Sequence, residues 1–352
     1  MGSGLLLADP ARKICLEITM TEKSVPISVI GDGAWGTTLA VLLAENGHKV
    51  TLWGAFPDYL KKISHSRINQ KFLPGIVIPK GVVFESDLEM AVTASDVIVF
   101  AVPSQYLTAT LQKIKKFDYA GRSFVSVVKG IDTKTFLTMA QLIEKELGKV
   151  KVAVLSGPTI AIEVARKVPT TAVSASKDAR FARQVQALFS CATFRVYTNS
   201  DVLGVELCGS VKNVIALACG ICDGLGFGTN TKAAVLTRGL VEMMRLGKAL
   251  GADSKTFTGL AGLGDLATTC FSPNSRNRSV GYELGKGRKI KDILASMDAV
   301  AEGVVTAKAV YRLAQKLKIE MPITAAVYQV VYNQKNPQKA VAGLMGRTLK
   351  SE

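Results

Sequence analysis

The sequence predicts an α/β protein in two parts, a parallel β-sheet with crossover helices followed by an all-helical domain. Three observations predict it. Short apolar runs alternate with amphipathic stretches through the first 200 residues, the pattern of βαβ units. A GxGxxG motif, Gly31-Asp-Gly-Ala-Trp-Gly36, follows the first apolar run and opens a helix, which predicts a Rossmann-like, dinucleotide-binding first domain; a glycine turn in some other α/β protein is the alternative. After about Tyr197 the strand signal stops, and helical periodicity runs to the end. A length of 352 residues suits two domains. The expected division is a flexible extension over residues 1–24, a dinucleotide-binding domain over 25–200 and a helical substrate domain over 201–352.

The elements follow in order. Ile27–Ile30 is the first strand, and the helix after the glycine motif runs to about Asn46. In that motif Gly31 allows the tight turn, Gly33 lets backbone approach a pyrophosphate, and Gly36 lets helix and strand pack closely. The helix N-terminus offers amide donors to an anion. Lys49–Trp53 is the second strand. It ends in Trp53-Gly-Ala-Phe56, with no carboxylate for a ribose hydroxyl and no Arg or Lys for a 2′-phosphate. Val97–Val102 and Phe124–Val128 read as buried strands, and Val152–Leu155 and Ala172–Ala175 extend the sheet. Lys129 stands at the carboxyl end of a strand, the end that faces the ligand crevice in open α/β sheets; a plain strand-terminating lysine is the other reading. Ser156-Gly-Pro-Thr-Ile-Ala161 either turns its amides toward a ligand or caps a helix with proline at its first position.

The helical half holds the strongest catalytic candidate. Gly204–Gly220 is apolar almost all round, as a buried helix is, yet it carries Lys212 and Asn213 at its centre. A buried ammonium is costly unless it is paired or deprotonated, and a lysine with a lowered pKa is a ready general base. A lysine that snorkels to the surface is the alternative. Gly259-Leu-Ala-Gly-Leu-Gly-Asp265 ends in an acid that either caps a helix or orients a lysine. Ser272-Pro-Asn-Ser-Arg-Asn-Arg278 places Arg276 at a helix start, where a guanidinium fork and helix amides can hold a phosphate; a solvated basic turn is the plain alternative.

Composition removes other chemistries. The only histidines are His48 and His65, both expected at the surface, which argues against a histidine base or a His-containing hydrolase triad. A net charge of +16 favours anionic partners. The basic residues are scattered and lack interleaved aromatics, so a phosphorylated small molecule and a dinucleotide are expected rather than nucleic acid. Six cysteines lack the spacing of a disulfide framework and read as reduced thiols of a cytoplasmic protein. Cys219-Gly-Ile-Cys222 is expected to pack rather than bind metal. No apolar run reaches the length of a membrane span. The first 24 residues match neither a signal peptide nor a myristoylation pattern, and Met20 is an alternative start.

Taken in order, Gly31-Asp-Gly-Ala-Trp-Gly-Thr, Val128-Lys-Gly-Ile131, Leu155-Ser-Gly-Pro-Thr159, Gly204–Asn213, Thr237-Arg-Gly-Leu240, Gly259–Leu266, Ser275-Arg-Asn277 and Ala301-Glu-Gly303 resemble the NAD(P)-dependent sn-glycerol-3-phosphate dehydrogenases of bacterial type. The resemblance spans about residues 25–345. It implies interconversion of sn-glycerol 3-phosphate and dihydroxyacetone phosphate, supplying glycerol phosphate for phospholipid synthesis. It implies Lys212 as the proton acceptor, with Lys129 beside the substrate. Asp265, Ser275, Arg276 and Asn277 would surround glycerol phosphate, with Gly157 and Thr159 nearby. Ala34, Trp35, Lys129, Ala161, Arg276, Val300 and Glu302 would meet the cofactor. No metal is required, because the dinucleotide accepts the hydride. A homodimer is compatible with this reading.

Two positions depart from the pattern of many relatives. Asp32 puts a negative charge close to the expected pyrophosphate. Phe56 stands where many relatives carry a basic residue. Together they predict a mild preference for NAD over NADP, on the order of tenfold. The rival readings are another two-domain hydroxyacid or opine dehydrogenase, and a catalytically silent dinucleotide sensor.

Overall fold

The computed structural model describes residues 24–297, 300–349 and 351. Residues 1–23, with Met20, lie outside the described residues. Among the described residues eight strands form one sheet: β1 Pro26–Ile30, β2 Lys49–Trp53, β3 Val82–Glu85, β4 Val97–Phe100, β5 Ser123–Ser126, β6 Lys151–Ser156, β7 Thr170–Ala175 and β8 Phe194–Asn199. Between them lie α1 Ala34–Glu45, α2 Pro57–Ser66, α3 Leu88–Thr93, α4 Ser104–Ile114, α5 Met139–Leu147, α6 Ala161–Ala165 and α7 Ala179–Phe189. The helical half follows as α8 Val202–Gly224, α9 Thr229–Leu250, α10 Ser254–Thr258, a wide π-type turn Leu260–Gly264, α11 Asp265–Phe271, α12 Arg276–Gly285, α13 Ile290–Ala295, α14 Glu302–Leu317, α15 Pro322–Asn333 and α16 Pro337–Met345.

The strand order is β3-β2-β1-β4-β5-β6-β7-β8. The first six strands run parallel, but β7 pairs antiparallel with β6, and β8 then runs parallel to β7. The expected all-parallel sheet is therefore corrected at one edge. A crossover helix must span a strand of about 20 Å, whereas the five residues of α6 rise only about 7.5 Å. The sequence pattern singled out neither β3 nor β8. β3 is a short edge strand, and β8, Phe-Arg-Val-Tyr-Thr-Asn, is half polar.

Strand alternation sends side chains to two layers. Ile27 and Val29 join the core under α1 with Leu39 and Leu43, whereas Ile30, Phe100 and Phe124 join the core on the opposite face. Phe100 and Phe124 stack there at 5.8 Å between centroids. A third core surrounds α8 in the helical half. α8 is long and apolar enough to cross a membrane, with mean hydropathy 1.6 over its most apolar window. That corrects the expectation that no run would reach such a length. The window is 89% buried inside the protein, so the core accounts for its composition.

α8 and α12 cross with their backbones in contact. A Cβ on Gly220 would lie 2.0 Å from the Arg278 carbonyl oxygen, and one on Gly281 2.2 Å from that of Leu217. Only glycine permits this approach. Gly281→Ala is expected to destabilise the protein by about 1–3 kcal/mol, as overpacking does. Thermal melting checks this, and an unchanged melting temperature would show that the crossing opens freely.

His48 is 6% exposed, which corrects the surface assignment. The α1–β2 turn tucks beneath Val25 and the end of α7, where Asn46 Nδ2 donates to the Leu188 carbonyl at 2.9 Å. Burial lowers the imidazole pKa. His65 is exposed, as expected.

Candidate active site

The glycine loop meets the demands of a dinucleotide. Gly31 has φ +126°, a conformation side chains avoid. A Cβ on Gly36 would lie 1.9 Å from the Gly31 carbonyl oxygen. A Cβ on Gly33 would meet nothing within 4 Å, so the space above the loop is open. The first turn of α1, with Ala34 and Trp35, has no side-chain cap and no acid, which leaves its N–H groups for an anionic ligand. The Trp35 ring leans toward Phe194 of β8 at 6.5 Å.

Lys212 sits in the middle of α8 with 6% exposure. The snorkelling alternative is thereby set aside. Its Nζ donates to Asp265 Oδ1 at 2.6 Å and to Thr269 Oγ1 at 2.5 Å. Asp265 is the first residue of α11, and Gly264 rather than Asp265 occupies the cap position. The Asp265 carboxylate spends its second oxygen on Lys129, whose Nζ donates to Oδ2 at 2.6 Å. One buried carboxylate thus binds two lysines. Burial pulls the Lys212 ammonium down to about pKa 8; Asp265 opposes that shift, and the Lys129 charge adds to it.

Lys129 lies beyond the end of β5, which stops at Ser126, two residues earlier than expected. Its Nζ also donates to the Gly157 carbonyl at 3.2 Å, and the Thr159 hydroxyl donates to the same carbonyl. Pro158 lies ahead of α6 rather than at its first position, so the proline-cap reading fails, and Ala161 begins the helix. Gly157, Thr159 and Lys129 therefore share one corner with Lys212 and Asp265.

Arg276 opens α12, capped by the Ser275 side chain, which accepts from Arg278 N. Arg276 is an exposed residue overall, yet burial around its guanidinium lowers the pKa of that group, which donates to the Val300 carbonyl at 2.8 Å. Asn277 is 8% exposed, and both ends of its amide are engaged. It donates to Asn213 Oδ1 at 2.9 Å and accepts from Gly303 N at 2.9 Å. The amide thus ties α12 to α8 and α14. Glu302, at the start of α14, accepts from Ser104 N at 2.9 Å and from Ser104 Oγ at 2.5 Å. This bond joins the two halves of the chain at the N-terminus of α4. Burial raises the Glu302 pKa, against the lowering effect of the Ser104 hydrogen bonds.

Sequence reasoning missed Thr269, Ser104 and Asn69. Thr269 stands one helical turn after Asp265 and could have been found from that spacing. Ser104 and Asn69 carry no local signal. Asn69 Nδ2 donates to the Asp32 carbonyl at 2.7 Å and to Thr37 Oγ1 at 2.7 Å, fixing the glycine loop from below.

Cys219 and Cys222 are buried in α8, and Cys219 meets Cys270 of α11. The described residues contain no group of three or more His, Cys, Asp and Glu suited to a metal. The purified protein is expected to carry no stoichiometric zinc, and a chelator should leave activity intact. One equivalent of zinc per chain by mass spectrometry would overturn this.

The fold and its relatives put the chain among the NAD(P)-dependent dehydrogenases with a helical second domain. Residues 26–182 match the family described as NAD-dependent glycerol-3-phosphate dehydrogenase N-terminus, and residues 201–342 match its C-terminus. The chain belongs to the NAD-dependent glycerol-3-phosphate dehydrogenase family. It is 50% identical to a glycerol-3-phosphate dehydrogenase [NAD(P)+] of Geobacter metallireducens, over 93% of this chain and 98% of that protein. It is 47% identical to the protein of the same name from Chlorobium limicola, over 93% and 99%. The crystal structure of glycerol-3-phosphate dehydrogenase from Coxiella burnetii superposes with a TM-score of 0.90 at 39% identity, covering 92% of this chain and 99% of that one.

Proposed function

We propose that this chain interconverts sn-glycerol 3-phosphate and dihydroxyacetone phosphate with NAD(P), residues 25–200 holding the dinucleotide and 201–352 the substrate. The observation that carries the reading is the Lys212–Asp265–Lys129 cluster, together with Arg276 at the start of the helix that Asn277 ties to α8. In oxidation the substrate C2 hydroxyl gives its proton to Lys212 Nζ, the C2–H bond breaks with its electron pair, and C2 becomes a carbonyl. The bound dinucleotide supplies the hydride acceptor at the nicotinamide ring. Lys129 polarises the oxygen that becomes the carbonyl, and Asp265 holds both lysines in place. Arg276 and the α12 amides grip the phosphate, so that binding energy far from C2 serves orientation at C2.

The unbridged cysteines 191, 208, 219, 222 and 270 suit a reducing, cytoplasmic compartment, where the product glycerol phosphate would feed phospholipid synthesis. Consumption of NADH by dihydroxyacetone phosphate tests the reading directly; no change in absorbance would refute it.

Phe56, 71% exposed at the start of α2, bears on cofactor choice. No Arg or Lys lies between Trp53 and Leu60 to bind a 2′-phosphate. The natural sequence is expected to favour NADH over NADPH by about tenfold in kcat/KM. Phe56→Arg should move the ratio toward NADPH. A clear NADPH preference in the natural sequence would reveal another basic group at the 2′-phosphate.

A further inference from the structure

The second strand ends without an acid, yet an acid stands there in space. Asp32 belongs to the glycine loop, and its carboxyl group lies against Gly54, the residue directly after β2. A Cβ built on Gly54 would fall 2.5 Å from Asp32 Oδ2 and 2.8 Å from its Cγ. Pairing of Ile30 with Trp53, and the hydrogen bond from Gly31 N to the Trp53 carbonyl at 3.0 Å, hold loop and strand end side by side. Glycine at position 54 thus leaves the volume that the Asp32 carboxyl fills.

The residue is fixed as well as placed. Its carbonyl turns inward and accepts from Thr37 Oγ1 at 3.2 Å and from Asn69 Nδ2 at 2.7 Å. Asp32 is 9% exposed, and its Oδ2 has no hydrogen-bond partner. A buried carboxyl oxygen without a donor is costly, so its retention at this loop calls for a functional explanation.

Resting on the NAD(P)-dependent activity proposed above, we propose that the Asp32 carboxylate reads the adenosine ribose of the dinucleotide. It accepts the 2′-hydroxyl and repels a 2′-phosphate, replacing the carboxylate that this fold usually carries at the end of the second strand. Residue 32 then determines cofactor specificity from the glycine loop, and Gly54 is its necessary partner.

Fluorescence titration with NADH, NADPH and 2′-deoxy-NADH, which lacks the adenosine 2′-hydroxyl, tests this. The natural protein should bind NADH about tenfold more tightly than either of the other two, the value of one charge-assisted hydrogen bond. Asp32→Ala should bind all three within about twofold of one another. Asp32→Asn keeps the shape and should lose the bias against NADPH first. It serves where the alanine variant fails to fold, and the 2′-deoxy comparison on the natural protein needs no variant. Retention of the full NADH:NADPH ratio in either variant, or indifference of the natural protein to the 2′-hydroxyl, overturns the assignment. Failure of the natural protein to bind any of the three would instead refute the dinucleotide-dependent activity itself.

Discussion

Lys212→Ala is expected to lower kcat by about a hundredfold or more, as loss of a positioned general acid–base group does. The affinity for dinucleotide should change little, since Lys212 contacts Asp265 and Thr269 rather than the glycine loop. The natural enzyme should show a matching pH profile. A base must be unprotonated to take the hydroxyl proton, so oxidation should rise as pH passes through about 8, where burial places the Lys212 pKa. Reduction needs the protonated form and should fall over the same range. Steady-state rates in both directions check this. Near-normal turnover of the alanine variant, or a profile flat through that range, would remove Lys212 from proton transfer.

Arg276→Ala should weaken the use of glycerol phosphate by about thirtyfold or more in kcat/KM, the value of a charge-assisted contact to phosphate. Reaction with a phosphate-free analogue such as dihydroxyacetone should lose far less, because that molecule never engages the guanidinium. The two losses measured side by side decide the matter. Equal losses would mean that Arg276 acts on the fold, through the Val300 carbonyl it already holds, rather than on phosphate.

The parts of this molecule legible in sequence are those written within one element. The glycine loop declares itself because tight turn, open space and helix start fall within six residues. Lys212 declares itself because a charge in an all-apolar helix has few explanations. Partnership was less legible. Asp265 left two readings in sequence, and only the fold shows it bridging Lys212, 53 positions away, and Lys129, 136 positions away. The Glu302–Ser104 bond spans 198 positions, and nothing near Ser104 announces it. The reversed direction of β7 escaped for a related reason, since alternation marks a strand but not its heading. Asn277 was read only as a substrate ligand, and nothing in the sequence signalled that its amide also bonds Asn213 and Gly303.

The glycine crossing of α8 and α12 carries a consequence for selectivity. One helix bears the proposed proton-transferring lysine and the other the proposed phosphate-binding arginine. Between them at the crossing stand Gly220 and Gly281, with no side chain to compress or swell. The spacing of the two helices that carry these functions is therefore a property of the main chain, and the pair works as a caliper. In sn-glycerol 3-phosphate the reacting carbon is bonded to the carbon that bears the phosphate ester. A longer phosphorylated alcohol would have to fold back to satisfy both jaws.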